Sequence, residues 1–498
     1  MNLKKNIVAN FFGLIYVTAI AIIVVPFYLD YLGAEAYGLV GFFALMQSWM
    51  LLMDMGLSPT LSREVAKVKN STIEKLFIFK KLFHSLEFIF IVWGLIISSS
   101  IVMFSDWISL NWLQIESLNI QDVSYCISLM GIMVGLRLLG SLYRSGIIGA
   151  EEQVWLTIAS SVIVTLKFAG VLLVLIFIGT DIKYFFEYQM IIAILEFIIL
   201  STKFYKIMDI GRFKFYFSYQ NVKPILPFAI SVAYTGGIWI IATQLDKLLL
   251  SGLLPLKEYG YFVLVGMVSN AVLQISDPIA KALLPRMVNF VKSNREVEML
   301  DIYKKVTQIT AIIVFSVVGV IGLYSNELLY SWTGTLEAAK WGENILSWYV
   351  LGNAFLAMSA FPYYLQYAYG ELKINVQFET IKLLFSVPLV IWSIYNYGAI
   401  GAALTWFVLQ FITFLVYPPI VHNKFALGIH TDWVMKDILP VFLSTVVFLL
   451  ALHYLDLSFD YGRGLIFVTL LLIGVCLLFI NTIVSSEGRK ILKKIRNW

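Results

Sequence analysis

Runs of about twenty apolar residues alternate with short polar gaps some fourteen times along this chain. A run such as Val154–Gly179 (VWLTIASSVIVTLKFAGVLLVLIFIG) is long enough to cross a ~30 Å hydrocarbon core at about 1.5 Å per residue. The pattern predicts spans at 7–29, 38–57, 83–104, 122–143, 154–179, 186–206, 225–246, 259–279, 307–327, 344–364, 376–396, 399–420, 438–457 and 463–484. Each is expected to be helical, because an open sheet would leave backbone groups unpaired in lipid. The fold class is therefore an all-α, polytopic membrane protein. The first run, Ile7–Leu29, is too long for a signal-peptide core and reads as a retained helix.

Charge enters the picture through the gaps. With the N-terminus inside, 27 of the 36 Lys and Arg fall in inside loops and tails and 5 fall in outside loops. That bias predicts cytoplasmic termini. The net charge of +5 is thus a matter of topology, and no nucleic-acid partner is implied. The longest outside loop, Ser105–Gln121, has 17 residues and is rich in Trp and Leu, so no folded outside domain is expected. The sequon Asn70-Ser71-Thr72 falls on the inside, where glycosylation is not expected. Cys126 and Cys476 both lie within apolar spans and imply no disulfide framework.

Two stretches repeat. Tyr37-Gly38 matches Tyr259-Gly260 at an offset of 222, and with one inserted residue Asp54 matches Asp277 and Arg63 matches Arg286. Each stretch leads into an inside loop with six basic residues. The expected organisation is a six-helix half over 1–206, a basic, aromatic linker over 207–223 and a second six-helix half over 224–420. An even number of spans separates the halves, so they form a parallel repeat, an arrangement suited to two bundles that rock around a central cavity. Residues 421–498, two further helices and a basic tail, fall outside the repeat and read as an appendix.

The residues that carry the repeat also carry a likeness. Leu32-Gly33-x-Glu35-x-Tyr37-Gly38 and Asp54-x-Gly56-Leu57-Ser58-Pro59-Thr60-Leu61-x-Arg63-Glu64 resemble the N-terminal region of the O-antigen (Wzx-type) oligosaccharide flippases. These belong to the polysaccharide-transporter branch of the multidrug/oligosaccharidyl-lipid/polysaccharide (MOP) superfamily. Asp246-Lys247 followed by Tyr259-Gly260-Tyr261 resembles the second-half counterpart. The resemblance implies two six-helix bundles in a V within a bacterial inner membrane. It implies a substrate too, undecaprenyl-diphosphate-linked oligosaccharide, moved from the cytoplasmic to the periplasmic leaflet for surface polysaccharide synthesis. H⁺ or Na⁺ would be the coupling ion, and polysaccharide polymerase or chain-length proteins the partners. One departure stands out: the first span holds no charged residue before Asp30, whereas some relatives place arginines there.

Ionisable groups at membrane depth cost about 2.5–3.5 kcal/mol each on insertion scales, so each is a functional candidate. Substrate-binding candidates are Arg63, Arg137, Lys167, Arg286 and Lys382. Ion-coupling candidates are Glu196, Asp54 and Asp277. Arg137 follows the close-packing pair Gly131-x-x-x-Gly135, and its planar fork suits phosphate; a structural or snorkelling role is the alternative. Lys167 and Glu196 are the midplane charges, and equal-depth counting across the hairpin of spans 5 and 6 predicts that they meet. Arg63 and Arg286, one per half, suit a two-sided clamp on an anionic head group or, alternatively, a topology anchor. Lys382 can snorkel to the interface.

No G-x-x-x-x-G-K-[ST] loop and no clustered His/Cys ligands occur, so neither ATP hydrolysis nor a cofactor is expected. A membrane-embedded polymerase or ligase is disfavoured by the short outside loops. A cation-coupled exporter of amphipathic drugs, from the same superfamily, stays open as the second reading, with Glu196 as its carboxylate.

Overall fold

The computed structural model describes residues 3–68, 73–211, 214–455, 457, 459 and 461–496, and the sequon Asn70-Ser71-Thr72 lies outside them. The described regular elements are helices: α1 (Leu3–Leu32), α2 (Ala34–Met53), α3 (Leu57–Val68), α4 (Ile73–Trp107), α5 (Ile120–Gly149), α6 (Gln153–Thr165), α7 (Val171–Phe177), α8 (Ile182–Ile207), α9 (Tyr219–Val222), α10 (Leu226–Leu253), α11 (Leu256–Lys292), α12 (Glu296–Leu323), α13 (Ser325–Thr333), α14 (Leu336–Tyr369), α15 (Lys373–Phe425), α16 (Ile429–Asp432), α17 (Leu439–Tyr454), α18 (Arg463–Val484) and α19 (Ser486–Arg496). π-Helical turns lie at Ile108–Trp112, Leu166–Gly170 and Trp433–Ile438. Each expected span falls mainly on helix, and ten of the described helices are long and apolar enough to cross a membrane. One of these, α15, holds two spans in series. It breaks at Gly398 (φ 59°), where Ser393 Oγ donates to the Gly401 carbonyl across the fold-back.

The chain divides into two compact units, one ending at Gly260 and the other beginning at Tyr261. In the first unit α5 is the hub, packing on α2, α3, α4, α6 and α8. It can do so because its contact faces are small. Gly131 and Gly135 let α4 approach closely through Gly94 and Ser98, and Ser98 Oγ donates to the Gly131 carbonyl at 3.0 Å. Gly149 meets the Ser62 backbone of α3 in the same way. Between α2 and α3 the chain turns through Met55 (φ 51°) and Gly56 (φ 69°), and Gly56 lies against the Ala229 carbonyl of α10. Only glycine meets both demands at that position.

The two Tyr-Gly pairs of the repeat meet in space. A Cβ on Gly38 would run into the Leu256 carbonyl, and one on Gly260 into the Ala34 carbonyl, so the first turns of α2 and α11 cross backbone to backbone. Tyr37 and Tyr259 are both buried beside this crossing. The α4–α5 loop lies over it: Glu35 accepts from the backbone N–H of Glu116 (2.7 Å) and Ser117 (3.0 Å), and Leu256 N donates to the Gln114 carbonyl (2.8 Å).

In the second unit α12 packs on α14, α17 and α18, and α14 lies along α15 through a seam of Phe355 against Phe407, Phe411 and Phe414. The two C-terminal helices expected outside the repeat pack onto this core. Buried Asn481 of α18 donates to Ser316 Oγ of α12 and Thr445 Oγ1 of α17, both at 2.9 Å. Gln308 of α12 donates to Asp437 Oδ1 (2.6 Å) and accepts from Ser485 Oγ (2.6 Å) and Glu487 N (3.0 Å). In hydrocarbon such groups have no water to turn to, so the network ties the last two spanning helices to α12.

Candidate functional site

The first unit gathers membrane-embedded cations on two neighbouring elements. Arg137 and Arg144 sit seven residues apart on α5, so they share a face about 10 Å apart along the axis. Arg144 donates to Glu196 Oε1 of α8 at 2.7 Å and to Ser160 Oγ of α6 at 3.1 Å. Arg137 donates to Gln47 of α2 and stacks over the Phe43 ring, 5.1 Å from its centroid. Its Nε is buried without a hydrogen-bond partner. A guanidinium with a spare N–H retains capacity for a further acceptor.

Lys167 belongs to the π-helical turn between α6 and α7. A π-turn misdirects carbonyls that would otherwise bond along the helix, and here side chains take them up. Tyr188 Oη donates to the Leu166 carbonyl (3.0 Å), Gln189 Nε2 to that of Lys167 (2.8 Å) and Tyr28 Oη to that of Phe168 (2.9 Å). Three donors from α1 and α8 thereby hold the turn that presents the lysine. Its ammonium lies 5.5 Å from the Phe168 ring centroid. It interacts electrostatically with Arg137, Arg144 and Glu196. By formal charge the group of three cations and one carboxylate carries +2.

The expected Lys167–Glu196 pair does not form, since Glu196 takes Arg144 instead. Gln189 is the α8 residue that bonds opposite Lys167, seven positions and about 10 Å along the helix from Glu196. Equal-depth counting assumes two uninterrupted, parallel helices. The π-turn breaks the first helix, and α8 packs chiefly on α5 rather than on α6 and α7. Arg144 escaped the sequence reading because it was assigned to a loop after residue 143, whereas α5 runs on to Gly149. The i, i+7 spacing from Arg137 was the available signal.

The other candidates are placed as follows. Asp54 holds the first turn of α3, accepting from Ser58 Oγ (2.6 Å) and Ser58 N (3.2 Å). Arg63 is exposed on α3 with its guanidinium 4.5 Å from the Phe228 ring centroid of α10. In the second unit, Lys382 pairs with Glu379 one turn away at 2.7 Å, so its charge is locally neutralised. Arg286 is exposed on α11, and the side chain of Asp277 lies outside the described residues.

The chain matches, over residues 3–291, the family described as polysaccharide biosynthesis protein, and the match takes in more than half its length. The chain belongs to this family. Among its relatives, a Shigella flexneri protein named "Putative O-antigen transporter" is 24% identical over 410 residues, covering 82% of this chain and 94% of that protein. The fold is similar to that of the lipid II flippase MurJ in an inward closed conformation. That likeness has TM-score 0.72 and 18% identity, over 95% of this chain and 97% of that one. It is also similar to an inward-facing multidrug resistance MATE transporter of the MOP superfamily, with TM-score 0.65 and 14% identity, over 82% of this chain and 96% of that one. The fold is accordingly similar to the one these two transporters share.

This family member carries one more buried acid in its first unit. Glu87 of α4 is 1% exposed. Its Oε1 accepts from Tyr143 Oη and Tyr205 Oη, both at 2.7 Å, and its Oε2 lies 3.2 Å from His84 Nδ1. The sequence places His84 and Glu87 as an i, i+3 pair; the two tyrosines, on α5 and α8, come together with them only in the fold.

Proposed function

We propose that this chain moves undecaprenyl-diphosphate-linked oligosaccharide units from the cytoplasmic to the periplasmic leaflet of a bacterial inner membrane, by alternating access, for surface polysaccharide synthesis. The observation that carries the reading is the +2 cluster of Arg137, Arg144, Lys167 and Glu196 in the first unit. A diphosphate diester carries about two negative charges at neutral pH, because each phosphate keeps one strongly acidic oxygen, and so balances that cluster. Guanidinium forks bind such groups in bidentate fashion and an ammonium acts as a point charge. Membership of the polysaccharide biosynthesis family supports the substrate class.

In this reading both termini are cytoplasmic, as the loop charges require. The halves 1–206 and 224–420 act as repeats joined by 207–223. Arg63 in the first unit and Arg286 in the second are each exposed candidates for contact with the anionic head group. Glu196 is the carboxylate that answers to a coupling H⁺ or Na⁺, with Asp54 and Asp277 as the further candidates. A drug exporter fits less well, since amphipathic cations would meet a positive cluster.

The test is removal of the encoding gene from its host. Surface polysaccharide should be lost and lipid-linked repeat units should accumulate on the cytoplasmic leaflet. The unaltered gene should restore export fully, whereas Lys167→Gln should restore only about a tenth of it. Normal surface polysaccharide in the deletion strain, with no second transporter present, rejects the proposal.

A further inference from the structure

The segment between α8 and α10 places aromatic side chains on the outside of the first unit. Residues 214–217 have no regular secondary structure, and extended Ser218 (φ −142°, ψ 114°) leads into α9. Phe215 and Phe217 share a side of the segment, since both rings lie against Phe88 of α4, and Lys214 and Tyr216 beside them are exposed as well. Phe215 is 73% exposed, Phe217 51% and Tyr219 58%. The segment is nonetheless fixed to α4: the Phe217 and Phe215 rings lie 5.8 and 6.4 Å from that of Phe88, Ser218 N donates to Ser85 Oγ at 3.2 Å, and Lys80 reaches the Asp209 carbonyl.

The contact with Phe88 sets a depth. The last lysine on α4 is Lys81, and between it and Asp106 the ionisable side chains are the buried His84 and Glu87. Phe88 lies seven residues, about 10 Å, past Lys81 toward the apolar stretch. Rings level with Phe88 lie past the last lysine of α4, alongside its apolar stretch. Exposed aromatic rings suit the boundary between head groups and acyl chains, and Lys214, also exposed, has the reach to meet head groups.

We propose that residues 214–219 form an interfacial lipid-binding strip. Phe215, Phe217 and Tyr219 enter the boundary between head groups and acyl chains, and Lys214 stays with the lipid phosphates. The strip lies outside the cationic cluster and does not depend on the transport reading.

Single cysteines at positions 214, 215 and 217, in a full-length Cys126→Ala/Cys476→Ala background, would carry an environment-sensitive fluorophore. The protein would be reconstituted in vesicles of phosphatidylethanolamine and phosphatidylglycerol. Acyl-chain nitroxide should quench the 215 and 217 labels about threefold more than the 214 label, and aqueous iodide should reverse that order. Equal iodide quenching at all three positions overturns the proposal. So does protection of 215 and 217 from both quenchers, which would mean a protein occupant. A photoactivatable acyl probe on the unsubstituted chain provides a second measurement free of any folding defect: adducts should map to 214–219, and their absence there refutes the strip.

Discussion

The Arg144–Glu196 pair yields a quantitative test of the cationic cluster. The contact is a charge-assisted hydrogen bond at 2.7 Å between side chains 37% and 20% exposed. Hydrogen bonds to charged groups contribute about 1.5–3 kcal/mol, and partial exposure discounts the upper end. Arg144→Gln also leaves the Glu196 carboxylate without its charged hydrogen-bond donor, with Arg137 and Lys167 still in electrostatic reach, so we expect it to cost about 2–3 kcal/mol. Glu196→Gln keeps an acceptor for Arg144 and should cost about 1 kcal/mol. The double variant should cost less than the two singles together, with a coupling energy of about 1–2 kcal/mol. At about 2–4 °C per kcal/mol for a unit of this size, Arg144→Gln should lower the melting temperature by roughly 5–10 °C. Thermal unfolding in detergent, followed by circular dichroism on all four proteins, measures the cycle. Losses that add to within about 0.5 kcal/mol would falsify the pairing. The same variants separate structure from mechanism: unchanged polysaccharide export by Glu196→Gln, at normal protein level, removes Glu196 from any coupling role.

Further outcomes follow from other contacts. Lys167→Met should lower export about tenfold, a loss of about 1.4 kcal/mol in substrate binding, with little change in melting temperature, whereas Lys167→Arg should retain most activity; equal export by the Met variant would take Lys167 out of the site. Gly38→Ala and Gly260→Ala each drive a methyl into a carbonyl across the α2–α11 crossing, and both should reduce folded yield in a fluorescence size-exclusion assay by the equivalent of about 1–3 kcal/mol. Tyr143→Phe and Tyr205→Phe each remove one donor from buried Glu87, costing about 1–3 kcal/mol apiece, and the pair together should exceed the sum because the carboxylate keeps only His84. Asn481→Ala empties the hub between α12, α17 and α18; a loss near 2–4 kcal/mol is expected, and a neutral result would detach the last two helices from the core.

Hydrophobic runs alone determined that this protein is a bundle of membrane helices, because runs of about twenty apolar residues match a spanning helix, which pairs its whole backbone within itself, and exceed a spanning strand. The matched Tyr37-Gly38 and Tyr259-Gly260 pairs were also visible, and the structure brings their glycines to one close backbone crossing. Arg137 was visible as a charge where charge is costly. Which charges meet was decided by tertiary structure. Lys167 and Glu196 looked like partners by counting along a hairpin, but the π-turn at Leu166–Gly170 and the packing of α8 on α5 gave Glu196 to Arg144. The fold also decided that Asp54, a coupling candidate, accepts from Ser58 in the first turn of α3, and that the two C-terminal helices, expected outside the repeat, share a buried polar core with α12. Burial in hydrocarbon is a one-dimensional property that each residue carries with it along the chain. Pairing depends on helix rotation, tilt and register, and only the packed structure sets those.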